Sequence, residues 1–148
     1  GLHELKDGGF LNIHCDFNKH PSMNLDRRIN ALIYLNHDWK DQYGGALEFW
    51  DKNMKNSIKK ILPIFNRIVI FNTTKFSFHG NPEKVKLSDK SKSRKSIALY
   101  YYSNGRPDEE MSNTAHPTLW KNRPDTSDTI KTIDFKKIFW KIYYKEKR

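Results

Sequence analysis

The sequence predicts an all-β fold, a sandwich, jelly roll or barrel, on three observations. Short apolar runs rich in Val, Ile, Phe and Tyr recur along it, clusters of turn residues separate them, and helical periodicity is scarce before residue 120. Strands at such spacing belong to proteins whose sheets close over one another.

Six strands follow in order. "FLNIHCD" (10–16) comes after a Gly8-Gly9 turn, and "RINALIYLN" (28–36) is a longer apolar run with β-branched residues. "GALEFW" (45–50), "SIKKILP" (57–63), "RIVIFNT" (67–73) and "KSIALYYYS" (95–103) complete the set. The connecting stretches "NKHPSMN", "DQYGG", "DKNMKN" and "NTTKFSFHGNPEK" are built from turn-forming residues. Beyond Pro107 the pattern turns polar and irregular, which divides the chain into a core over 1–106 and a second segment over 107–148. The last 19 residues, with Ile130, Ile133, Ile138, Phe139 and Ile142, predict a basic amphipathic helix whose aromatic side packs on the sheet.

A chain of 148 residues is one domain, large enough for a real core. At 36% hydrophobic and 30% charged it is neither disordered nor fibrous, and no apolar run approaches the roughly 20 residues of a membrane span. The opening "GLHELKDGG" does not read as a secretory signal. The single Cys15 excludes an internal disulfide framework and suits a reducing, cytoplasmic setting. The net charge of +10 is concentrated: residues 84–95 and 131–148 each carry +5, and the rest is balanced. Such patches attract acidic partners, anionic lipid or nucleic acid, or simply face solvent.

A carboxylate within an apolar strand is costly unless something binds it. On a strand, residues two apart face the same way, so His14 and Asp16 project together while Cys15 points oppositely. Imidazole plus carboxylate is two thirds of the 2-His-1-carboxylate triad that holds Fe(II) and leaves positions open; a buried His–Asp hydrogen bond is the structural alternative. Of the other histidines, His79 is best placed for a third ligand, because a late jelly-roll strand can return beside an early one. His3, His20, His37 and His116 read as surface residues. Arg94 and Ser96 share a strand face, and a guanidinium beside a hydroxyl suits one carboxylate.

Read in order, "HCD", "ALIYLNHDWKDQYGGALEFWD", "ILPIFNRIVIFNTTKFSFHG" and "SRKSIALYYYS" resemble the Fe(II)- and 2-oxoglutarate-dependent dioxygenases, most of all their prolyl 4-hydroxylase-like branch, over about residues 8–104. The resemblance implies a double-stranded β-helix, the cupin-like jelly roll, with iron inside its open end. It implies His14, Asp16 and His79 as iron ligands and catalytic centre, and Arg94, with Ser96 and Tyr34 beside it, as the grip on the distal carboxylate of 2-oxoglutarate. Two departures stand out. Only 13 residues precede His14, fewer than the strands and helices the family carries there. The gap from His79 to Arg94 is 15 residues, so "NPEKVKLSDKSKS" reads as an insertion at the mouth.

The implied activity is hydroxylation of an unactivated C–H bond, with decarboxylation of 2-oxoglutarate to succinate and with ascorbate as reductant for oxidised iron. The implied substrate is a prolyl residue of a protein or peptide. Two other readings are a nucleic-acid-directed oxygenase, suggested by the basic loop, and a non-catalytic jelly-roll binding module.

Overall fold

The computed structural model describes residues 1–107, 110 and 115–128. The predicted C-terminal helix and the basic segment 131–148 lie outside the described residues. Nine strands are described: β1 (Leu2–Leu5), β2 (Leu11–Cys15), β3 (Asp26–Tyr34), β4 (Leu47–Trp50), β5 (Ser57–Ile61), β6 (Ile68–Asn72), β7 (His79–Asn81), β8 (Arg94–Ser103) and β9 (Leu119–Trp120). They form two antiparallel sheets, one in the order β1-β8-β3-β6 and one in the order β5-β4-β7-β2-β9. One 3-10 turn, Asp41–Tyr43, interrupts them. The fold is the jelly-roll-like β architecture that the sequence predicted, and no helix among the described residues is long and apolar enough to cross a membrane.

Each of the six predicted strands appears, as β2 to β6 and β8. The three unpredicted ones are short. The strand β7 reads His-Gly-Asn, a sequence without strand propensity, and it forms because β2 and β4 hold it from both sides. Gly80 permits that fit, since a Cβ there would stand 2.7 Å from the Asn12 carbonyl oxygen and 2.8 Å from that of Leu11.

Between the sheets, Tyr34, Leu47 and Val69 form a core with Leu32, Phe49, Ile61 and Phe71. Ile13, Cys15 and Phe78 form a second cluster with Trp50, Met54 and Leu119. The outer face of the four-stranded sheet is apolar as well, with Ile68, Ile70, Leu99 and Tyr101 exposed. This is why those strands read as continuous apolar runs rather than alternating ones.

The loop over 82–93 departs from the sequence reading. It leaves β7 at Asn81, the partner of Leu11, and enters β8 at Arg94, the partner of Leu5. It therefore spans the Arg94 end of the sandwich and not the mouth beside Asp16. Nor is it a mere surface insertion: Val85 and Leu87 are buried with Trp39 against Leu5, Tyr43 and Ile64. Backbone bonds join Val85 to Gly8 and Gly9, and the Leu87 N–H donates to Asp7 Oδ1 at 2.8 Å. Lys90 also pairs with Asp7. The loop's charge, lying at this end, lends no support to an acidic or nucleic-acid substrate at the mouth.

Candidate metal centre and carboxylate pocket

His14 and His79 are register partners on the adjacent strands β2 and β7. One extra residue in β2, between Leu11 and His14, shifts the register. Within this irregularity the Asn12 carbonyl accepts a hydrogen bond from Nδ1 of His14 at 2.9 Å, and the Ser77 carbonyl accepts one from Nδ1 of His79 at 2.8 Å. With both Nδ1 protons committed, each Nε2 presents a lone pair. Both lone pairs meet Asp16: His14 Nε2 lies 3.6 Å from Oδ1 and His79 Nε2 lies 3.5 Å from Oδ2. One ligand atom from each residue falls within 4.8 Å of the others, the only such group among the described residues.

The protonation states fit a divalent cation. Burial pushes the Asp16 carboxyl up, but the two adjoining imidazoles and the Arg27 guanidinium outweigh it and hold the group well below the usual carboxylate range. Burial lowers the His79 imidazole to about 4 against the pull of Asp16. At neutral pH Asp16 is an anion and His79 is neutral, the forms in which they ligate.

Asp16 is itself held by two side chains that the sequence reading missed. Asn30 Nδ2 donates to its Oδ2 at 2.6 Å and Arg27 Nη2 donates to the same oxygen at 3.1 Å. Arg27 also donates to Asn30 Oδ1 through Nε at 3.1 Å and Nη2 at 2.9 Å. Its guanidinium is flanked by the rings of Phe17, at 4.5 Å, and Tyr100, at 4.1 Å. Strict alternation sends Arg27 and Asn30 to opposite faces. An extra residue in β3 between Arg27 and Ile29 brings both inward, and sequence periodicity cannot see it. The available signal was Asn30 itself, a polar residue in the middle of an apolar strand.

The three residues assigned to the carboxylate grip come together. Tyr34 and Ser96 are register partners, and Arg94 lies on the same face of β8 as Ser96, with all three buried. The Arg94 Cζ sits 5.1 Å from the Tyr34 ring centre, and its Nε donates to the Gly45 carbonyl at 2.7 Å. Among the described residues no carboxylate pairs with this buried cation, and the Tyr34 hydroxyl is buried without a hydrogen-bond partner. Burial raises the Tyr34 pKa and lowers that of Arg94. A buried guanidinium with a buried hydroxyl beside it fits a carboxylate, whose two oxygens can accept from both.

The remaining histidines lie outside the triad. His20 accepts from the backbone N–H groups of Ser22 and Met23, His37 stacks on Phe65 at 3.6 Å, and the His116 backbone N–H donates to Asn18. His3, exposed on β1, pairs in register with Ser96. A cleft of about 860 Å³ opens along the loop over 82–93, lined by Phe10, Leu11, Pro82, Lys84 and Trp120 and by none of the three triad residues. Trp120 lines it and also lies with its ring 4.8 Å from that of His14.

The family model described as the 2OG-Fe(II) oxygenase superfamily matches residues 1–102. A curated relative, prolyl 3-hydroxylase OGFOD1 of Mus musculus, is 34% identical over 80 residues, a stretch covering 51% of this chain and 14% of that protein.

Proposed function

This chain belongs to the 2OG-Fe(II) oxygenase superfamily, and on that premise we propose that it hydroxylates a prolyl residue of a protein or peptide at a ferrous centre held by His14, Asp16 and His79. The observation that carries the reading is the convergence of two free imidazole Nε2 atoms on one half-buried carboxylate. The prolyl substrate is supported by the name of the mouse relative.

Ferrous ion and 2-oxoglutarate, when bound, supply the oxidising power: dioxygen is divided between succinate, formed with carbon dioxide, and the hydroxylated product. The chain's own groups bind, orient and exclude water. Arg94 and the Tyr34 hydroxyl take the far carboxylate of 2-oxoglutarate, with Ser96 alongside. Tyr34 and the apolar cluster around it keep that pocket dry, which strengthens the grip of Arg94. Ascorbate is expected to sustain turnover by returning oxidised iron to the ferrous state. The same proposal sets the enzyme in the cytoplasm, on the strength of a single buried thiol.

The test is succinate formation from 2-oxoglutarate with Fe(II), followed by mass spectrometry of proline-containing peptides for the gain of one oxygen. His14→Ala, Asp16→Ala and His79→Ala are each expected to reduce succinate to background. Undiminished turnover in any one removes that residue from the centre. Succinate formation without any modified prolyl peptide retires the prolyl substrate and leaves the oxygenase.

A further inference from the structure

We propose that Asn30 and Arg27 are positioning residues for the metal ligand Asp16: by occupying its Oδ2 they leave Oδ1 as the oxygen offered to the ion. The inference rests on the reading of His14, Asp16 and His79 as a metal centre.

The geometry is asymmetric. Each oxygen faces one imidazole, Oδ1 that of His14 at 3.6 Å and Oδ2 that of His79 at 3.5 Å, but only Oδ2 accepts from Asn30, at 2.6 Å, and from Arg27, at 3.1 Å. Asn30 and Arg27 are 2% and 3% exposed, and they are locked to each other by two further hydrogen bonds. A carboxylate that offered both oxygens would take an extra coordination position, and the cosubstrate needs the positions left open by a facial triad.

Charge argues in the same direction. Arg27 carries a positive charge close to where a cation must sit, and by Coulomb's law alone it weakens metal binding. Its presence is then explained by what it does to the orientation of Asp16. The rings of Phe17 and Tyr100, within 4.5 Å and 4.1 Å of the guanidinium, hold that orientation. Loss of such a partner behind a metal ligand typically costs about 10- to 100-fold in metal affinity.

The two causes make opposite forecasts for Arg27→Met. A purely electrostatic role gives tighter binding of a divalent ion, and a positioning role gives weaker binding. The experiment titrates the whole chain with Co(II), reading affinity by calorimetry and coordination by the visible absorption of the ion. Asn30→Ala and Arg27→Met are expected to bind Co(II) about 10- to 100-fold more weakly, with an altered band shape. Arg27→Lys, which keeps a donor, is expected to recover part of both. Tyr100→Leu, at a half-exposed site, provides a variant that folds even if the buried ones do not, and it is expected to shift both readouts in the same direction by less. Unchanged affinity and spectrum in folded variants, or tighter binding in Arg27→Met, overturns the proposal and leaves the metal centre standing. A wild-type chain that takes up no Co(II) overturns the centre itself.

Discussion

Each histidine of the triad donates its Nδ1 proton to a carbonyl two residues upstream, so local backbone decides that Nε2 is the nitrogen turned toward Asp16. Arg94→Ala is expected to raise the KM for 2-oxoglutarate roughly 10- to 100-fold, the worth of a charge-assisted bond, while leaving Co(II) affinity unchanged. Titrations of both ligands against the variant check this. Burial depresses the His79 pKa from 6.5 to about 4. The folded state therefore keeps His79 neutral where the unfolded state protonates it. This stability is fully present above pH 6.5 and is lost as pH falls through about 4, amounting to roughly 3 kcal/mol. Urea unfolding of chelator-treated protein between pH 7 and 4.5 is expected to show the loss, and His79→Gln to blunt it. Cys15 is buried, with its thiol pushed up to about 12, so iodoacetamide at pH 8 is expected to leave it unmodified until the protein is denatured.

At the scale of elements, short strands and their irregularities position the chemistry. Gly80→Ala puts a Cβ against the carbonyl oxygens of Asn12 and Leu11, forcing β7 from β2. Thermal unfolding is expected to show a loss of about 1–3 kcal/mol, accompanied by weaker Co(II) binding. Leu87→Ala, in the loop that closes the Arg94 end, is expected to cost about 2–5 kcal/mol, which a surface insertion would not. The longer strands were legible because β-branched and aromatic runs bounded by turn residues have few other solutions. β7 was not, since His-Gly-Asn forms a strand only when neighbours supply the partners. The loop over 82–93 was misplaced because its lysines dominate its composition, whereas Val85 and Leu87 decide where it packs.

For the molecule as a whole, the two sheets meet at Asp16: β2 leads into it, and Asn30 and Arg27 reach it from β3 in the other sheet. An ion bound there ties the sheets together. At a metal concentration 100 times the dissociation constant, linkage adds about 2.7 kcal/mol, and the melting temperature is expected to rise roughly 5–10 °C, reversibly with a chelator. Alternation in the sequence pairs His14 with Asp16 and Arg94 with Ser96, whereas Tyr34 is named by family order alone and His79 by family order and the return of a late strand. Arg27 and Asn30 were not legible there, since a bulge in β3 sets their direction. The most direct test is the stoichiometry of anaerobic Fe(II) binding. One ion per chain is expected in the wild type and none in His14→Ala or His79→Ala, two residues 65 positions apart that share one site. Retention of a full equivalent of iron by either variant would contradict a common centre.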